Sequence, residues 1–210
     1  MTERYAHQER SALADTLLAA GPDAPTLCEG WATRDLAAHI VLRERRPDAA
    51  AGIMLPPLAG HTRRVQDDLA RGDYAQLVEK VRHPQSISLL QIGAVEEAMN
   101  LVEFFIHHED VRRATPGWSA RELDEGYERA LLGRVRSTAK LSARRFPGEI
   151  VATMPGAEPI RAGAGGERVE VHGEPGELLL FFTGRQRATN VEVTGPDELA
   201  AKLRGARLGL

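Results

Sequence analysis

Glu103 and His107 stand four residues apart within a segment, about Ser88 to Ala114, whose apolar residues recur at helical spacing. A chain carrying such a segment has to bury one long helix against others. Four residues take a helix roughly 40° past a full turn and about 6 Å along its axis, so the carboxylate and the imidazole point the same way. Two residues do not close a metal site. A third donor has to come from another helix, and His39, in a helical pattern that starts at Thr33, is the best candidate. With Met99 as reference and about 100° per residue, Ile92, Val95, Ala98, Val102, Phe105 and Ile106 share one apolar arc. Glu103 and His107 fall at one flank of it, with Glu96 and Asp110. Polar groups beside a core-facing stripe are what a helical bundle needs to hold a metal between helices. Spacing alone leaves two readings open. Glu103 and His107 fit a solvated pair worth about 0.2–0.5 kcal/mol as well as they fit ligands, and His39, flanked by Ala37, Ala38 and Ile40, fits a satisfied core residue.

Two textures divide the chain. From about residue 3 to 145 the periodicity is helical. A first helix carries Ala12, Leu13, Thr16, Leu17 and Ala20 on one face and ends at Gly21-Pro22. A second starts at Thr33, which can cap it, and runs to Pro47. Residues 51–60, with Pro56-Pro57, read as a loop. Shorter helices follow over about 61–70 and 74–81, then the long segment over 88–114, and a last long one over about 123–145. Four main helices with irregular connections predict an antiparallel four-helix bundle over 1–147. Beyond Pro147, residues 149–154, 167–172 and 190–194 alternate as strands do, around a short buried helix with Pro175 in its first turn and Gly184 past its end. With an amphipathic helix over 196–203, residues 148–210 read as a small α/β appendage, so the fold class is mainly α.

Composition narrows the function classes. Lys and Arg number 27 against 30 Asp and Glu, with signs interspersed, so nucleic acid is not an expected partner. No apolar run approaches the roughly 18 residues a membrane span requires, and Met1–Arg10 lacks the pattern of a signal peptide. The single cysteine, Cys28, forms no internal disulfide and suits a reducing compartment. The expectation is a cytoplasmic protein, monomeric or homodimeric, that does not engage membranes.

Three segments carry a family resemblance. Thr26-Leu-Cys-Glu-Gly-Trp-Ala-Thr-Arg-Asp-Leu-Ala-Ala-His39 resembles the Trp-x-x-x-Asp-Leu-x-x-His start of the second helix in the N-terminal domain of mycothiol-dependent maleylpyruvate isomerases, a branch of the DinB-like metal-binding bundles. Glu103-Phe-Phe-Ile-His-His-Glu-Asp110 is similar to that family's Glu-x-x-x-His-x-x-Asp. Gly176-Glu-Leu-Leu-Leu-Phe-Phe-Thr-Gly-Arg185 is similar to the Glu-Leu-Leu-x-x-x-x-Gly-Arg of the accompanying C-terminal domain. More narrowly, Arg43-Glu-Arg-Arg-Pro-Asp48 and His108-Glu-Asp-Val-Arg-Arg-Ala114 resemble a metal-binding subfamily of uncharacterised function rather than the isomerase itself. The resemblance implies that His39, Glu103 and His107 bind a divalent metal, zinc first, and that a thiol such as mycothiol is a cofactor. It further implies a thiol-using transferase or isomerase acting on a small electrophile or anion. The isomerase's catalytic arginine and substrate-carboxylate pocket have no assignable counterpart here. A non-catalytic module whose metal ties two helices together is the alternative.

Neighbouring residues carry two readings each. Asp110 fits a carboxylate that orients a ligand imidazole, or a helix-end acid satisfied by Arg113. His108, about 100° from His107, reads as a surface or packing residue, and Cys28 as a bystander close to the site. Arg43, Arg45 and Arg46 with Glu44 and Asp48 read as a solvated charge network, although Arg43 follows His39 by one turn and suits an anionic substrate. His7, His61, His83 and His172 are expected at the surface, and Trp31 and Trp118 as packing anchors.

Overall fold

The computed structural model describes residues 2–83, 94–144, 146–163 and 165–209. Its elements run α1 (Thr2–Ala20), α2 (Thr33–Arg45), α3 (Pro47–Met54), α4 (Ala59–Ala70), α5 (Tyr74–Arg82), α6 (Ala94–Arg112), α7 (Glu125–Ala143), β1 (Glu149–Thr153), β2 (Ile160–Ala162), β3 (Arg168–His172), α8 (Pro175–Leu180), β4 (Glu192–Thr194) and α9 (Asp197–Gly205). The protein is mainly α, with an α/β part at its C-terminal end, as the two textures predict. Two compact units are formed, Met1–Trp118 and Ser119–Leu210. The division differs from the boundary expected at residue 147, because α7 packs against α8, β1 and β2 and so groups with the sheet.

In the first unit α1 pairs with α6 along much of its length, and α2 lies among α3, α4 and α5. Leu13, Leu17, Leu36, Ile40, Val78, Val81 and Phe104 form the centre of the core. Each such side chain contributes about 1.5–3 kcal/mol on burial. Residues 36–42 of α2 are buried without interruption, which is why this helix shows no clean polar face. Two corrections concern its ends. Thr33 is the first helical residue rather than the cap. The helix start is held by Asp35 instead, whose carboxylate accepts the Ala32 N–H at 2.9 Å, while the Thr33 hydroxyl donates to the Gly21 carbonyl. Pro47 does not simply stop α2 but opens α3, where its missing N–H costs nothing, so most of the expected 51–60 loop is helix or 3-10 turn.

On α6, Val102 and Phe105 are buried as the apolar arc requires, but Met99 is 53% exposed, and Leu101 and Phe104 are fully enclosed. The second half of the helix is covered nearly all round, and a one-sided stripe underestimates that. The start expected at Ser88, and Ile92, lie outside the described residues, as do the side chains of Val95, Glu96 and Ala98.

In the second unit a four-stranded sheet runs β2-β1-β3-β4, with β1 and β3 parallel and the outer pairs antiparallel. β2 is an addition to the expected strands, too short at three residues to show alternation. Residues 175–180 of α8 are buried, as predicted, and the chain leaves through a wider turn over Phe181–Arg185. Gly184 in that turn has φ +98°, and a Cβ there would meet the Leu208 carbonyl oxygen at 2.7 Å.

Candidate metal centre

His39 interrupts the apolar stretch of α2 between Leu36 and Leu42, on the side that faces Glu103 and His107 of α6. Its Nε2 lies 3.4 Å from Glu103 Oε1, and His107 Nε2 lies 3.2 Å from the same oxygen. The two imidazoles meet edge to face at 5.3 Å between ring centres. Trp31 stands 5.1 Å from His39 on the other side and limits how far that ring can turn. The three residues singled out from the sequence are thus brought together, with both histidines buried and Glu103 partly so.

Asp110 orients His107. Its Oδ2 lies 3.0 Å from His107 Nδ1, while Arg113 bonds Glu109 and lies over the Trp118 ring. With Nδ1–H donating to Asp110, a neutral His107 turns the bare lone pair of Nε2 toward a carboxylate oxygen. Two lone pairs at 3.2 Å repel unless a positive centre lies between them. A second proton on His107 supplies one, and a metal cation supplies another. The spacing fits the cation well, since ligand atoms about 2.0–2.1 Å from a tetrahedral zinc stand about 3.3–3.4 Å apart.

Without a metal the site is a proton trap. Burial works against charge on His107, but hydrogen bonds to Asp110, Cys28 and Glu103 outweigh it and raise its pKa well above 6.5. Burial likewise opposes the Glu103 carboxylate, and the His107 and His39 hydrogen bonds with the charges of His107 and Arg43 overturn that and hold its pKa far below the usual range. His39 is pushed down by burial first, with the charges of His107 and Arg43 adding, against the pull of Glu103.

Arg43 borders the centre. Its Nη1 donates to Asn100 Oδ1 at 3.0 Å and its Nε lies 3.8 Å from Glu103. The solvated network expected around it is divided among separate partners: Glu44 pairs with Arg10, which also lies over the Phe104 ring, Arg45 bonds the Lys80 carbonyl, and Arg46 bonds Asp48. Arg10 is buried and Glu44 largely so, so that pair is not a solvated one.

Two further features are not visible from spacing on α6. Cys28 approaches the centre, its thiol 3.2 Å from Asp110 Oδ2. His108 is buried rather than superficial, with Nδ1 2.7 Å from Glu9 Oε1 and Nε2 2.8 Å from the Thr16 hydroxyl. Glu9, Leu13 and Thr16 share one stripe of α1, and an acid on an apolar stripe was the available signal. His7, His61, His83 and His172 are exposed, as expected.

No family model matches the chain, and no curated protein matches its sequence. Among solved structures, the crystal structure of the mycothiol-dependent maleylpyruvate isomerase superposes with a TM-score of 0.58 at 18% identity, over 92% of this chain and 91% of that one. The fold is that of the mycothiol-dependent maleylpyruvate isomerase. A histidine-to-alanine mutant of the same enzyme matches with a TM-score of 0.53 at 18% identity, over 93% and 94% of the two chains. The likeness extends over both units of this chain. Among the described residues no helix is long and apolar enough to cross a membrane.

Proposed function

We propose that this protein holds a divalent metal, zinc first, on His39, Glu103 and His107, and uses it in a thiol-dependent transferase or isomerase reaction on a small electrophilic or anionic molecule. The observation that carries this reading is the convergence of two histidine Nε2 atoms on one Glu103 oxygen at 3.4 and 3.2 Å. When bound, such a metal lowers the pKa of water or of a thiol and so favours the nucleophilic form. His107 is held by Asp110 in the orientation that presents Nε2, and His39 is held by Trp31. Arg43, one turn beyond His39, offers a guanidinium at the edge of the centre for an anionic group on the substrate. Mycothiol is the thiol suggested by the structural neighbours, whose activity depends on it.

The competing reading, a structural metal in a non-catalytic module, calls for a fourth protein donor. His108 does not provide one, since it turns to Glu9 and Thr16. Among the described residues the His39 group contains three donors, the pattern that leaves room for an exogenous ligand. The test is titration of the cobalt-substituted Cys28→Ser protein with mycothiol. Sulfur-to-cobalt charge-transfer absorption from the added thiol is expected. An unchanged spectrum at saturating thiol, together with melting that depends strongly on the metal, supports the structural module instead.

A further inference from the structure

We propose that Cys28, Asp110 and the Nδ1 atom of His107 form a second cation site, suited to a thiophilic divalent ion, which shares the His107 ring with the His39 and Glu103 site. Cys28 Sγ, Asp110 Oδ2 and His107 Nδ1 lie within 4.8 Å of one another, with Sγ to Oδ2 at 3.2 Å and Nδ1 to Oδ2 at 3.0 Å. Around a tetrahedral zinc, a sulfur at about 2.3 Å and an oxygen at about 2.0 Å stand about 3.5 Å apart, and nitrogen and oxygen about 3.3 Å. These two pairs therefore need to part by only about 0.3 Å to admit an ion. A thiolate, an imidazole and a carboxylate are the donor types that zinc, cobalt and cadmium accept together.

The arrangement is built in advance of any ion. Asp110 is fully buried on α6, and its backbone carbonyl accepts the Leu27 N–H at 2.9 Å, which anchors the loop that carries Cys28. Within that loop the Cys28 N–H donates to the Thr26 hydroxyl at 3.2 Å, the Thr26 hydroxyl donates to the Trp31 carbonyl at 2.9 Å, and the Trp31 N–H donates to the Cys28 carbonyl at 3.0 Å. Cys28 is partly exposed, so an ion has a way in from the loop side.

Charge decides whether two ions can share one ring. With both sites filled, His107 bridges them as an imidazolate, its Nε2 toward His39 and Glu103 and its Nδ1 toward Cys28 and Asp110. The Cys28 thiol proton and both His107 ring protons pass to solvent. Glu103, Asp110, the Cys28 thiolate and the imidazolate then balance two dications, so the pair adds no net charge to a buried place.

The test is a cobalt(II) titration of the metal-free full chain with no added thiol. Uptake of roughly two equivalents is expected, with sulfur-to-cobalt charge-transfer absorption accompanying one of them. Cys28→Ser should abolish that absorption and reduce uptake to roughly one equivalent, while His39→Ala should keep the absorption and lose the other equivalent. Saturation without charge-transfer absorption, or absorption that survives Cys28→Ser, overturns the second site. Failure of the proposed function has a different signature, cobalt uptake that is indifferent to His39→Ala.

Discussion

His107 and His108 are adjacent on α6 and serve opposite neighbours: His107 faces His39 of α2 across Glu103, whereas His108 bonds Glu9 and Thr16 of α1. The turn of about 100° between successive helical residues sends one imidazole to each partner helix. The same offset places one ring in the candidate metal centre and the other in the packing between α1 and α6.

Replacing His39, Glu103 or His107 by Ala should each sharply lower metal affinity, because each takes one donor from a three-donor set. His61→Ala and His83→Ala, at exposed positions, should leave it unchanged. Elemental analysis and competition with a chelator measure both groups. Metal content indifferent to all three core substitutions would mean that the ion binds elsewhere.

Asp110→Ala should lower metal affinity about 10- to 100-fold, the usual effect of removing a carboxylate that orients a ligand histidine. Cys28→Ser, compared with it, should leave the ion at His39, Glu103 and His107 in place. Equal losses in the two variants would contradict the orienting role drawn from the 3.0 Å contact to His107.

Metal and proton compete for His107. In the metal-free protein its raised pKa stabilises the fold fully below about 6.5, and that contribution fades as pH rises through the raised value. Glu103 has the opposite sign, stabilising fully above about 4.5 and losing its contribution as pH falls through its depressed value. Together these two groups serve the metal-free fold best between those limits. Filling the His39, Glu103 and His107 site at pH 7 should release about one proton, from His107, because His39 is already neutral there. Calorimetry in buffers of different ionisation enthalpy measures the release, and binding with no proton exchange would show that His107 is not a ligand.

His108→Ala should destabilise the protein by about 2–3 kcal/mol, since it removes buried hydrogen bonds to an acid and a hydroxyl between α1 and α6. Its metal affinity should match that of the parent. Urea unfolding with parallel metal titration checks both, and lost metal binding in a protein that still folds would shift the helical phasing by one residue.

Gly184→Ala should cost at least about 1–2 kcal/mol, because a side chain is strained at φ +98° and its Cβ would press on the Leu208 carbonyl. Thermal unfolding followed by a probe in the second unit measures it. A neutral effect would mean that the turn over 181–185 adopts another conformation in solution.

The sequence by itself determined the helices other than α3, the strands β1, β3 and β4, and the placing of Glu103 and His107 on one face, because these follow from local periodicity and from breakers such as Gly21-Pro22 and Pro147-Gly148. It also marked His39 through the Trp31 to His39 motif, whose Asp35 proves to hold the start of α2. Tertiary structure alone decided which groups meet. The loop before α2 folds onto the end of α6 through Leu27 and Asp110, and that brings Cys28 to the carboxylate behind His107, 82 residues away in the chain. Glu9 and His108 lie 99 residues apart and touch only because α1 packs on α6. The grouping of α7 with the sheet likewise depends on which surfaces bury each other. Periodicity states which way a side chain points from its own helix, and only packing supplies what stands opposite it.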